Sequence, residues 1–224
     1  MGRGEIEKLK NGVVKRKGKR ALGLFIDGIS LDRATRRQDR KVDLGRLVAS
    51  ITEGLVPEVA RYYTLVPYED DARQVSFLSA VEKAGLEVVA KRLPPKTVQR
   101  KVAMDVHMST DLMLFATGQF ENRIVHNVEN KTAAGSGVNE LAGFTDDFEN
   151  KDLKFNLQTA KDSSIQRTAI ILCPSLELSY AVHVCSQFGV ETMLVDFGSY
   201  SRSDTWRGID KWVDLSTSET IWRS

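Results

Sequence analysis

The sequence predicts an α/β fold: a mainly parallel sheet with helices on both faces and one long insertion. Three observations carry this. Short apolar runs end on Asp, Gly or Pro, as buried strands do. The segments between them repeat apolar residues at helical spacing. The two patterns alternate, which is the order that builds a parallel sheet covered by crossover helices.

The elements follow in chain order. "ALGLFID" (Ala21 to Asp27) reads as a strand, and its unbroken apolar run fits an internal strand covered on both faces. Asp43 can cap a helix whose apolar residues are Leu44, Leu47, Val48, Ile51 and Leu55. Glu58 to Pro67 is rich in Val, Tyr and Thr and reads as a second strand stopped by proline. "DDARQVSFLSAVEKAG" is a helix ended by Gly85, and "LEVVAKRL" is a third strand broken by "LPP". Met104 to Phe115 is a helix with Met104, Met108, Leu112 and Phe115 on its core face. Thr168 to Cys173 is a strand, "LELSYAVHVCSQFG" a helix closing at Gly189, and "VETMLVDF" a strand, with "KWVDL" as an added edge strand.

One segment breaks the rhythm. Residues 119–167 are polar, contain "AAGSG" and "TDDFENKD", and exceed the usual loop of a compact domain. They read as an insertion, in which "NRIVHNV" has a strand-like pattern. Its acids Glu121, Asp146, Asp147, Glu149 and Asp152 read first as solvated surface and second as a lid or protein contact.

At 224 residues the chain fits one domain, residues 21–224 with the insertion at about 119–167, behind a basic tail of residues 1–20. The formal charge of +2 hides an asymmetry. Lys8 to Arg20 holds seven basic residues and no acid, a block suited either to a phosphate backbone or to plain solvation. No apolar run approaches the roughly 20 residues of a membrane span, so no membrane role and a cytoplasmic location are expected. Cys173 and Cys185 lack CxxC spacing and read as reduced core thiols. His107, His126 and His183 are scattered without ligand spacing, no Walker-type phosphate loop exists, and Trp206, Trp212 and Trp222 read as packing over a sheet edge.

Chemistry is sought at strand ends, because open parallel sheets bind ligands beyond the carboxyl ends of their strands. Asp27 closes the first strand there. In "RKVAMDVHMSTDLMLFA", Arg100 and Lys101 precede Asp105, and Asp111 follows on the same helix. Six residues turn a helix through 600°, so the two carboxylates diverge by about 120°. Taken singly, each acid has an ordinary reading as a cap or surface group.

Together these segments resemble the NYN branch of the PIN-like nucleases, and within it the bacterial LabA-like proteins. "GLFIDGISL" is similar to an I-D-G-x-N-L signature and "KVAMDVHMSTDLM" to K-x-x-M-D-[IV]-x-x-x-x-D-x-M. "ARYYTLVPYEDD" with "GLEVVAKRL" matches the second and third strands, and "FGVETMLVDF" with "WVDLS" the closing ones. The resemblance implies a doubly wound sheet of order 3-2-1-4-5. It implies Mg²⁺ or Mn²⁺ held by Asp27, Asp105 and Asp111, the three aspartates being catalytic in cleaving RNA, expected to be single-stranded; Glu177 would either complete the metal cup or cap the helix that follows it. Ser30, Arg100, Lys101 and Ser175 would then face that substrate. A hard divalent cation wants oxygen ligands, so converging carboxylates suit it, and the bound metal would polarise the phosphoryl oxygen and activate water.

Two departures fall on this site. Where the family has S-G-D-x-D-F after its fourth strand, the chain reads "CPSLEL", with Pro174, Ser175 and Glu177 in place of Gly and the two Asp residues. Ser30 stands for the Asn of the first signature. Three readings stay open: a metal-dependent ribonuclease, a pseudo-nuclease that binds RNA without cutting it, and a subunit that assembles with itself or a protein partner through the insertion.

Overall fold

The computed structural model describes residues 19–69, 72–97, 101–120, 165–198 and 206–223. Six strands form one sheet: β1 (Arg20–Asp27), β2 (Val59–Val66), β3 (Glu87–Arg92), β4 (Gln166–Leu172), β5 (Glu191–Asp196) and β6 (Lys211–Asp214). All pairings are parallel, in the order β3-β2-β1-β4-β5-β6. The expected order is thus extended by β6, the edge strand foreseen in "KWVDL". The chain builds outward from β1 on one side, then returns to start β4 on the other. Strand order therefore reverses between β1 and β4, and a crevice is expected at their carboxyl ends.

Side chains alternate along each strand and divide the core into two layers. Leu24 and Ile26 of β1 face one layer, with Ile170 and Leu172 of β4 and Val195 of β5. That layer is covered by α1 (Gly28–Arg37), α2 (Leu44–Ile51) and Val81 of α3 (Ala72–Lys83). Phe25, Ile171 and Leu194 face the other layer, under α4 (Asp105–Ala116) and α5 (Ser179–Gln187). The expected stripe of Met104, Met108, Leu112 and Phe115 is buried here. The fold is a doubly wound α/β sheet with helices on both faces.

Several local features differ from the sequence reading. Helix α1 was not foreseen: "GISLDRATRR" is mostly polar, and its apolar stripe is short, with Leu31 and Ala34 buried. Helix α2 stops at Ile51 because Glu53 and Gly54 take positive φ (53° and 74°), which leaves Leu55 60 % exposed rather than on the core face. The helix expected from Leu176 begins as a 3₁₀ turn, Leu176–Leu178, before α5. Strand β4 begins at Gln166, so its first two residues belong to the sheet and not to the insertion. Residues 121–164 of that segment, and "NRIVHNV" with the acids named above, lie outside the described residues.

The carboxyl end of the chain closes onto the loop between α1 and α2. Val42 and Trp222 form an antiparallel bridge, flanked by Asp43 N donating to Ile221 O and Arg223 N to Lys41 O, both 2.8 Å. Trp222 is buried, its ring 5.6 Å from that of Phe197 and beneath the Arg40 guanidinium. Trp206 and Trp212 pack against the α4/α5 layer, as expected of edge packing. Cys173 and Cys185 are free and buried. No described helix is long and apolar enough to cross a membrane.

Candidate functional site

Strand β1 delivers Asp27 to the crevice, and α1 starts on the next residue, so Asp27 is both strand end and N-cap. Its Oδ1 accepts from the amides of Ile29 (3.0 Å) and Ser30 (3.1 Å), and its Oδ2 from the Ser30 hydroxyl (2.7 Å). These are the bonds that an N-cap carboxylate makes to the unpaired amides of a first turn. Burial nevertheless pushes the Asp27 carboxyl above its ordinary range; the Ser30 and Ile29 bonds oppose this, and the nearby charge of Asp105 adds to it. Gly28 is required here by close approach: a Cβ would fall 2.4 Å from the Tyr62 ring.

Asp105 opens α4, where the helix dipole favours an acid. The preceding strand of chain is steadied by Lys91 Nζ donating to Ala103 O at 3.2 Å. The Asp105 Oδ1 accepts from the Ser175 hydroxyl. A neutral donor therefore occupies this carboxylate, at the position where the resembling motif carries an aspartate.

Asp111 goes elsewhere. It lies on the core side of α4, 4 % exposed, and its Oδ2 accepts from Arg61 Nη1 at 2.7 Å and Tyr63 Oη at 2.9 Å. Arg61 also holds Glu87 through two bonds of 2.9 Å and lies over the Phe120 ring. Burial disfavours the Arg61 charge, but Asp111 and Glu87 outweigh it, and its affinity for the proton rises. The roughly 120° divergence read from the sequence has this consequence: one aspartate faces the crevice and the other an internal arginine.

The remaining expected residues fall as follows. Glu177 is exposed in the first turn of the 3₁₀ segment. Lys101 is exposed ahead of α4. Arg100 lies outside the described residues. Ser30 and Ser175 each contact one crevice aspartate. Among the described residues, no three of His, Cys, Asp and Glu form a group able to hold a metal ion. The expected cup of Asp27, Asp105, Asp111 and Glu177 is therefore not brought together. The physical reasons are the internal pairing of Asp111, the exposed position of Glu177 and the bonds already accepted by both Asp27 oxygens and by Asp105 Oδ1. As arranged, these residues do not fit a cation held by protein ligands alone.

Sequence reasoning passed over other groups at the same sheet end. Asp196 closes β5 as Asp27 closes β1; it is 1 % exposed, and its Oδ1 accepts from Gly198 N at 2.9 Å. Cys173, just past β4, takes a positive φ of 51°, uncommon outside glycine. Burial raises its thiol pKa, with Asp196 and Asp27 adding to the effect. A small open pocket is lined by Ser30, Arg33, Ala34, Arg37, Cys173, Asp196 and Phe197. The signal for Asp196 was present in "VETMLVDF", an apolar run ending on a carboxylate.

Residues 21–125 match the family model described as NYN domain. This span is an NYN domain, a branch of the PIN-like superfamily. The matched span of the NYN domain includes Asp27, Ser30, Lys101, Asp105 and Asp111 and ends before Cys173 to Leu178. A crystal structure of a protein of unknown function from Vibrio parahaemolyticus has a similar fold, with a TM-score of 0.59 at 12 % identity, over 92 % of this chain and 98 % of that one. No curated protein matches the chain.

Proposed function

We propose that this NYN domain binds single-stranded RNA without cutting it. The observation that carries the reading is the Ser175 hydroxyl on Asp105, where the nuclease motif would supply a charged ligand. Domains of this type generally work with divalent metals, which polarise the phosphoryl group and generate the attacking hydroxide. Here the residue at that position is neutral, and Asp111 is engaged by Arg61 and Tyr63. An uncompensated pair, Asp27 and Asp105, repels an RNA phosphate. The strand must therefore be held by cations around the crevice, with Lys101 as one of them.

A second reading, a slow metal-assisted ribonuclease, is favoured by one observation: Asp105 lies near enough to Asp27 for its charge to add, in a minor way, to the burial that raises the Asp27 carboxyl. Mg²⁺ is often bound through only one or two carboxylates plus substrate phosphates. Labelled single-stranded RNA incubated with Mn²⁺ separates the two. Binding without cleavage is expected of both the unsubstituted chain and Asp27→Asn, the variant binding at least as tightly because one repelling charge is gone. Cleavage that requires Mn²⁺ and disappears in Asp27→Asn would establish the second reading and overturn the first.

A further inference from the structure

We infer that Arg33 and Arg37 form a seat for an internal backbone phosphate of single-stranded RNA. The inference rests on the RNA-binding reading and names where the strand is gripped. The two arginines are four residues apart on α1, so their side chains share one helix face. Both are exposed and both line the pocket with Ser30, whose hydroxyl is bonded to Asp27. The seat is thus beside the crevice, on the bank formed by α1.

Neighbouring arginines are already used. Arg36 pairs with Asp32 at 2.9 Å, and Arg40 pairs with Glu219 at 3.1 Å and stacks on Trp222. Arg33 and Arg37 have no hydrogen bond or ion pair among the described residues. A guanidinium offers a planar fork of donors that matches two phosphate oxygens, and two forks side by side suit one bridging anion. Asp196 also lines the pocket, but two positive charges against one negative leave the lining cationic. The repulsion from Asp27 and Asp105 keeps the phosphate on this bank and away from the crevice centre.

The test is fluorescence anisotropy of a labelled single-stranded RNA oligonucleotide over a salt series, with the full chain, Arg33→Ala/Arg37→Ala and Arg36→Ala. All three sites are solvent-exposed, and circular dichroism checks that the variants fold. The double variant should bind about tenfold more weakly at low salt, and its slope of log affinity against log salt should fall by about 0.7, the value for one phosphate contact to a single strand. Arg36→Ala should match the unsubstituted chain. A 5′-phosphate on the oligonucleotide should not change affinity. Equal slopes for the double variant and the unsubstituted chain would overturn the seat alone. So would an equal loss in Arg36→Ala, which would mean a diffuse field, or a strict need for the 5′-phosphate, which would mean end recognition. No RNA binding by the unsubstituted chain would overturn the RNA reading and the seat with it.

Discussion

Asp27 is 8 % exposed, and although it accepts three hydrogen bonds, burial dominates and its carboxyl titrates above the ordinary value of 3.8. The folded state therefore binds this proton more tightly than the unfolded state does. The support that Asp27 gives the fold is complete below pH 3.8 and is lost as pH rises through the raised folded pKa. Asparagine keeps the N-cap acceptor and removes the charge. Urea denaturation of Asp27→Asn should show a gain over the unsubstituted chain that grows between about pH 4 and pH 7 and closes at lower pH. A difference that stays constant across that range would show that desolvation of this carboxylate is not what moves stability. The sequence made Asp27 readable because an apolar strand has little reason to end on a carboxylate unless that group is wanted at the crevice. Arg33 and Arg37 were not readable for the opposite reason. Their helix is polar and short, and only packing under Leu31 and Ala34 shows that it exists and which face it leaves to solvent.

At the scale of the element, α4 shows how one helix serves two purposes. Its first residue, Asp105, meets Ser175 across the crevice mouth, while Asp111, nearly two turns on, neutralises Arg61 of β2. Helical periodicity alone separated the two acids; the identity of the internal partner was out of reach, because Arg61 is 50 residues away in sequence and reads as an ordinary strand residue. Removing one member of a buried ion pair leaves the other charge uncompensated, at a typical cost of 3–5 kcal/mol. Glu87 retains part of the Arg61 charge, so Asp111→Ala should destabilise the chain by about 3 kcal/mol, the low end of that range. Tyr63 also loses its acceptor. Chemical denaturation measures the loss, and RNA affinity of the folded variant should be unchanged. If Asp111→Ala instead keeps its stability and loses RNA affinity, Asp111 acts at the site and not in the core. The side chain of Asp111 thus serves the packing of β2 against α4.

Across the whole molecule, the strand order was legible because each crossover carries its own apolar face, whereas the tie between Trp222 and the α1/α2 loop was not, since it joins segments from opposite ends of the chain. This layout also constrains how the basic tail can contribute. The tail joins the sheet at the amino end of β1, held where Gln166 N donates to Lys19 O, while the crevice lies at the carboxyl end. The eight residues of β1 separate the two ends by about 26 Å at strand rise. Residues 1–18 can span at most about 60 Å when extended, so the chain is long enough to double back to a bound strand. If Lys8, Lys10, Lys15, Arg16 and Lys17 each neutralise a phosphate, deleting residues 1–18 should lower the salt slope of RNA affinity by as much as about 3.5. That loss should add to the loss from Arg33→Ala/Arg37→Ala, because the two sets of charges touch different phosphates. Additive slopes would place tail and α1 on one continuous RNA path, whereas an unchanged slope on deletion would leave the α1 bank to hold the strand without the tail.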